Sequence, residues 1–238
     1  MFYLLGSIAL LFFFAIVLLV RSDLRKQSLI LAAICMPLGP ITEVIYFRDY
    51  WTYVSILPKV TIMGYSFFIE DLLFGFVAAG IMSICYDFFL HKKPLEQIYK
   101  PRLRQAIVIS IFQFALFIVL SLTTRINSIF LTSFCVMVAM VPILYLRRDL
   151  TRCALISGLI CGLGAFIFYF LILLIPGAIE FLLKAWKLSA EYSSLHVLGL
   201  PIPLTEILWA FSQAFYFGVI YKFCVGSGYK ESGEYSLK

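Results

Sequence analysis

Long apolar runs, broken by short polar and mostly basic stretches, set the pattern of this chain. A membrane span needs about 20 mostly apolar residues. Seven segments have that character, at about 2–20, 28–46, 66–90, 105–123, 128–146, 153–175 and 201–225. The pattern predicts an all-α integral membrane protein with seven transmembrane helices. The connection 176–200 is longer, and its "AIEFLLKAWKL" portion has the amphipathic spacing of a short interfacial helix. The first run, "FYLLGSIALLFFFAIVLLV", lacks the basic flank and the small-residue cleavage site of a signal peptide, and reads as the first span.

Composition strengthens this reading. The 238 residues are 63% hydrophobic and 13% charged, with a mean hydropathy of +1.00, whereas a soluble domain carries about 25% charged residues. An ordinary core cannot absorb so much apolar surface, so lipid must be most of the solvent. The net charge of +6 arises from Lys and Arg in the connections, with no basic face interleaved with aromatics, so nucleic acid is not an expected partner. Fourteen of these cations fall in 21–27, 91–104, 147–152 and 222–238, against five in 47–65, 124–127 and 176–200. The positive-inside rule then places the N-terminus outside and the C-terminus in the cytoplasm of a multi-pass cell-membrane protein. Six cysteines without a CxxC pair read as small buried hydrophobes, and neither a metal nor a cofactor is expected.

The apolar segments also repeat. "DLLFGFVAAGIMSICYDFF" at 71–89 aligns without a gap on "EILWAFSQAFYFGVIYKFC" at 206–224, an offset of 135 residues. Asp71 falls on Glu206, Phe76 on Phe211, Tyr86 on Tyr221, and at the same offset Trp51 meets Trp186. The expected architecture is therefore 3+1+3: a first three-helix repeat over 1–90, a linker over 91–135, a second repeat over 136–225, and a tail over 226–238. One linker span between them makes the two repeats parallel.

Acids inside apolar segments stand out. At 1.5 Å per residue, Glu70 and Asp71 lie roughly 6–8 Å below the outer surface, with Glu43 and Glu206 at similar depth. A single carboxylate there suits a headgroup position or a helix N-terminus. Three helices contributing acids to one layer, two of them in repeat register, point instead to a shared cavity, because a mid-membrane acid costs roughly 2.5–3.5 kcal/mol on insertion scales. Glu70 and Asp71 point about 100° apart on a helix, and the register favours Asp71 as the inward partner of Glu206. A carboxyl group in apolar surroundings can hold its proton near neutral pH and deliver it to an alkene, while a second carboxylate takes up the proton lost at the end. Phe67, Phe74, Trp209 and Phe211 stand near these acids as aromatic faces for a developing cation. Asp87 and Asp149 read as interfacial, Glu180 belongs to the interfacial helix, and His196 lies in the outer connection.

"RDYWTYVSIL" followed by "FFIEDLLFGF" resembles the lycopene cyclase domain of the heterodimeric bacterial and fused fungal carotenoid cyclases, and "LGLPIPLTEILWAF" resembles a second copy of it. The first copy has phenylalanine where the family motif has proline, and the second has Thr205 where a second acid would stand. The resemblance implies cofactor-independent cyclisation of a hydrophobic isoprenoid or carotenoid drawn from the bilayer, with Glu70, Asp71 and Glu206 in acid–base roles. Glu43 is a further candidate base. Two other readings stay open: a small 3+1+3 transporter, and a non-catalytic protein that binds a lipid or isoprenoid. A retinal pigment fits poorly, since segment 7 has no lysine midway and Lys222 lies at its end.

Overall fold

The computed structural model describes residues 2–52, 55, 57–62, 65–94, 97–188 and 194–229. Helix α1 (Phe2–Val20) is followed by a single 3-10 turn (Ser22–Leu24), then α2 (Arg25–Cys35) and α3 (Leu38–Asp49). A hairpin of β1 (Lys59–Ile62) and β2 (Tyr65–Phe68) leads directly into α4 (Ile69–Phe89). Helix α5 (Leu103–Thr123) precedes α6 (Ser128–Leu146), a second 3-10 turn (Arg148–Leu150) and α7 (Thr151–Leu173). Then come the short α8 (Ala178–Ala185), a hairpin of β3 (Ser194–Val197) and β4 (Leu200–Pro203), and α9 (Leu204–Val225).

Five helices are long and apolar enough to cross a membrane, and α1 with α2 makes a sixth if that pair, bent by 107°, counts as one span. The protein is thus a largely helical, multi-pass membrane protein in character. Large hydrophobics point outward along it, among them Phe12, Leu19, Val108, Leu122 and Val141. In water that surface would be a liability, and in lipid it costs nothing. Helix α9 is the most enclosed of the long helices and packs on α4, α5, α6 and α7.

Two expectations need correction. Segment 28–46 is not one continuous span, because the chain breaks between Cys35 and Leu38, at Pro37. Proline has no N–H to donate and its ring crowds the preceding turn, so the apolar run divides into α2 and α3. The segments at 66–90 and 201–225 do not begin as helices either: β2 and β4 occupy their first residues, and the apolar pattern alone gives no sign of a hairpin. A short helix does form within the stretch expected to be amphipathic, as α8, with Leu182 buried and the Glu180–Lys184 pair, 2.6 Å apart, exposed to solvent.

The hairpin-plus-helix unit occurs twice. Both strands and the first residue of the helix recur 135 residues later, from Lys59 to Ser194, Tyr65 to Leu200 and Ile69 to Leu204. The start of each half also recurs: α1 and α6 each lead to a 3-10 turn, and Arg21 clasps Asp23 just as Arg147 clasps Asp149, both at 2.7 Å. Residues at the 135-residue spacing meet one another in space. The backbones of Trp51 and Trp186 form an antiparallel bridge, Phe74 and Trp209 stack with ring centres 5.9 Å apart, and Lys222 Nζ lies 2.8 Å from Asp87 Oδ2.

Candidate functional site

A cavity of about 670 Å³ opens among α3, α4, α5 and α9, with mostly apolar walls. Glu43 from α3, Asp71 from α4 and Glu206 from α9 all line it. Its volume falls within the roughly 300–1,000 Å³ of small-molecule pockets.

Each acid is held by a different device. Asp71 sits in the first turn of α4 and is fully buried; its Oδ2 reaches back to accept the Phe68 backbone N–H at 2.8 Å. That contact is half of a capping box and closes one orphan donor of the helix start. Glu43 is 6% exposed, and its Oε2 accepts the indole N–H of Trp51 at 2.9 Å. Glu206 Oε1 accepts the Tyr50 hydroxyl at 2.5 Å, and Tyr169 lies close to the same carboxyl group. Tyr50 shares its hydroxyl with Thr205 Oγ1, 3.0 Å away. Adjacent side chains of one dipeptide, Tyr50–Trp51, therefore hold acids from two different helices. The dipeptide is itself pinned to the end of α8, where Lys187 N–H donates to Tyr50 O at 2.8 Å and Thr52 N–H to Ala185 O at 2.6 Å.

Close helix approach brings Glu43 and Asp71 together. Gly39 lies one turn before Glu43 and Gly75 one turn after Asp71, and these glycines meet where α3 crosses α4. A Cβ on Gly39 would come within 2.2 Å of the Asp71 carbonyl oxygen, so only glycine fits. Both Asp71 and Glu206 lie within electrostatic reach of Glu43.

The other sequence-predicted residues divide. Phe74 and Trp209 line the cavity and stack on each other. Glu70 does not line it: the side chain is 1% exposed, and neither carboxylate oxygen has a hydrogen-bond partner among the described residues. This follows from the 100° step between neighbours on a helix. Phe67 is on β2, off the cavity. Phe211 turns the other way on α9, packing over Gly158 and Gly162 of α7 and stacking on Phe215. No group of three or more His, Cys, Asp or Glu suited to a metal occurs among the described residues.

Sequence reasoning missed the tyrosines, and it missed a second buried charge cluster. Asp87 and Lys222 are both fully buried as an ion pair, where an interfacial Asp87 is expected. Lys222 Nζ also donates to Gly218 O at 3.0 Å, and Tyr229 OH donates to Asp87 Oδ1. Burial pushes the Tyr229 hydroxyl pKa up. A signal for the pair exists, since the offset aligning Tyr86 with Tyr221 sets Asp87 against Lys222. No signal links Tyr50 to Glu206 across 156 residues. No known protein family, curated protein or solved structure matches this chain at a significant level.

Proposed function

We propose that the protein is a membrane-embedded, cofactor-independent cyclase acting on a linear carotenoid of the lycopene type or a related isoprenoid. One observation carries the reading: carboxyl groups from three helices converge on a single, largely apolar cavity. A carboxylic acid there gives its proton to a terminal double bond of the substrate, leaving a tertiary carbocation. A neighbouring double bond attacks that cation and closes the ring. A carboxylate then removes a proton beside the new cationic centre, and the product is an isomer of the substrate. No electron is gained or lost overall, so no redox partner is required.

Asp71 and Glu206 are the proton-handling pair in this proposal, and Glu43 is a third acid within reach. The Phe74–Trp209 stack presents aromatic surface to the cation, a contact worth about 2 kcal/mol or more when desolvated. The 3+1+3 arrangement, with an external N-terminus and a cytoplasmic C-terminus, is part of the same proposal. The recurrence of hairpin, helix and Arg–x–Asp turn in both halves supports it. With this orientation the acids sit toward the outer side of the membrane and the Asp87–Lys222 pair toward the cytoplasm.

Expression in a lycopene-accumulating bacterium, with pigments resolved by chromatography, tests the reading. Cyclised carotene from the wild-type protein, lost in Asp71→Asn and Glu206→Gln variants that still insert, is the expected result. Unchanged lycopene with inserted wild-type protein would refute lycopene as substrate, and activity retained in both variants would refute the acids' role.

A further inference from the structure

The cavity is not uniformly apolar, and its two related helices, α4 and α9, differ in the polar groups they present to it. On α9 the residues facing it follow a helical stripe from Glu206 through Trp209 and Gln213 to Tyr216. The corresponding stripe on α4, starting from Asp71, runs through Phe74, Ala78 and Met82. Ala78 stands 135 residues before Gln213, so the polar amide of one helix faces the cavity where the other presents a methyl group. Gln213 is only 7% exposed, and its Nε2 has no hydrogen-bond partner among the described residues. Ser7 on α1 lines the same cavity, is 2% exposed, and its Oγ is likewise without a partner. By contrast, Tyr216 is satisfied, its hydroxyl 2.7 Å from Ser110 Oγ.

An unpaired buried amide donor is expensive, and a bare hydrocarbon cannot relieve it. Resting on the cyclase reading above, and favouring its related-isoprenoid substrate over the hydrocarbon lycopene, we infer that the cavity is built for an acyclic isoprenoid bearing an oxygen, an alcohol or a carbonyl compound, whose oxygen accepts the Gln213 Nε2–H while its terminal double bond lies at the acids. Seven residues separate Glu206 from Gln213, about 10 Å along α9 and on nearly the same face. An extended chain covers roughly 1.2 Å per bond, so the oxygen lies about eight to ten bonds from the reacting double bond. That is the spacing in a fifteen-carbon isoprenoid alcohol.

The experiment is competition binding on the purified full chain in lipid nanodiscs, with empty nanodiscs as the blank. Tritiated all-trans-farnesol is the probe, displaced by unlabelled farnesol or by the hydrocarbon β-farnesene. The wild-type protein is expected to prefer farnesol by about tenfold, the value of one well-made hydrogen bond. In Gln213→Leu the two competitors should come within about twofold of each other. Equal displacement by both in the wild type, or a preference that survives Gln213→Leu, would overturn the inference. So would absence of specific farnesol binding. The wild-type comparison stands even if the variant does not fold. Cyclised pigment in the bacterial assay, together with equal displacement here, would sink this inference alone and leave the cyclase reading in place.

Discussion

Removing the Lys222 ammonium while leaving Asp87 in place should be among the most damaging single changes available outside the cavity. Both side chains have zero exposure, their charged atoms are 2.8 Å apart, and Lys222 has a second acceptor in Gly218 O. In Lys222→Met, Asp87 keeps the Tyr229 hydroxyl but loses its counter-charge. Breaking a buried pair from one side costs about 3–5 kcal/mol, whereas replacing both members with apolar residues of similar volume is often neutral or stabilising. For a soluble chain of this length 1 kcal/mol moves the melting midpoint by about 2–4 °C, so Lys222→Met should lower it by roughly 6–20 °C. The double variant Asp87→Leu/Lys222→Met should recover at least half of that loss. The assay is thermal unfolding in one detergent, followed by the fraction of protein remaining monodisperse on size exclusion. A single variant within about 2 °C of wild type would refute the desolvation argument, and so would a double variant worse than the single.

Three other predictions concern the acids and the topology. Tyr50→Phe removes the hydroxyl that contacts both Glu206 and Thr205 and should reduce cyclisation about tenfold or more, at unchanged membrane insertion, if that hydroxyl fixes the Glu206 carboxylate; unchanged turnover would make the contact incidental. Gly39→Ala drives a methyl to 2.2 Å from the Asp71 carbonyl oxygen, while Gly164→Ala meets nothing within 4 Å. The first should lower the melting midpoint by several degrees or abolish activity and the second should do neither, with equal effects refuting the close crossing. In a cysteine-free background, a cysteine at Leu198, which is 87% exposed at the tip of the second hairpin, should react with an impermeant maleimide on intact cells. A cysteine at Lys93 should react only after lysis, and the reverse pattern would invert the topology.

The convergence of Asp71 and Glu206 was legible in the sequence because it follows from two local facts, the position of each acid in its apolar run and the common offset. The choice of Asp71 over its neighbour was legible for the same reason, since helix geometry forbids both from facing one cavity. Phe211 escaped that logic. It aligns with Phe76 across the halves, yet neither lines the cavity, because register fixes which residues correspond and leaves open which face is inward. The break at Pro37 was written in the chain, but a hydropathy window averages over it. Hairpins of four-residue strands are too short to impose a period on their surroundings. The Tyr50 contact with Glu206 and the Trp51 contact with Glu43 depend on where α3 ends relative to α9 and on its crossing with α4, and such placements arise from packing that no local pattern encodes.

The meeting of corresponding residues across the two halves carries a consequence for how asymmetric the cavity between them can become. Two separate identical three-helix subunits related by a twofold axis would set each axial side chain against its own copy. Acid would face acid at the position of Asp87, and any polar group admitted to the cavity would be admitted twice. Covalent joining lifts that restriction. In one chain an ammonium can answer a carboxylate, an indole can lie on a phenyl ring, and a glutamine can occupy one side of a chamber while alanine keeps the other bare. Such a chamber presents different surfaces on its two sides, which a strictly symmetric dimer could not do.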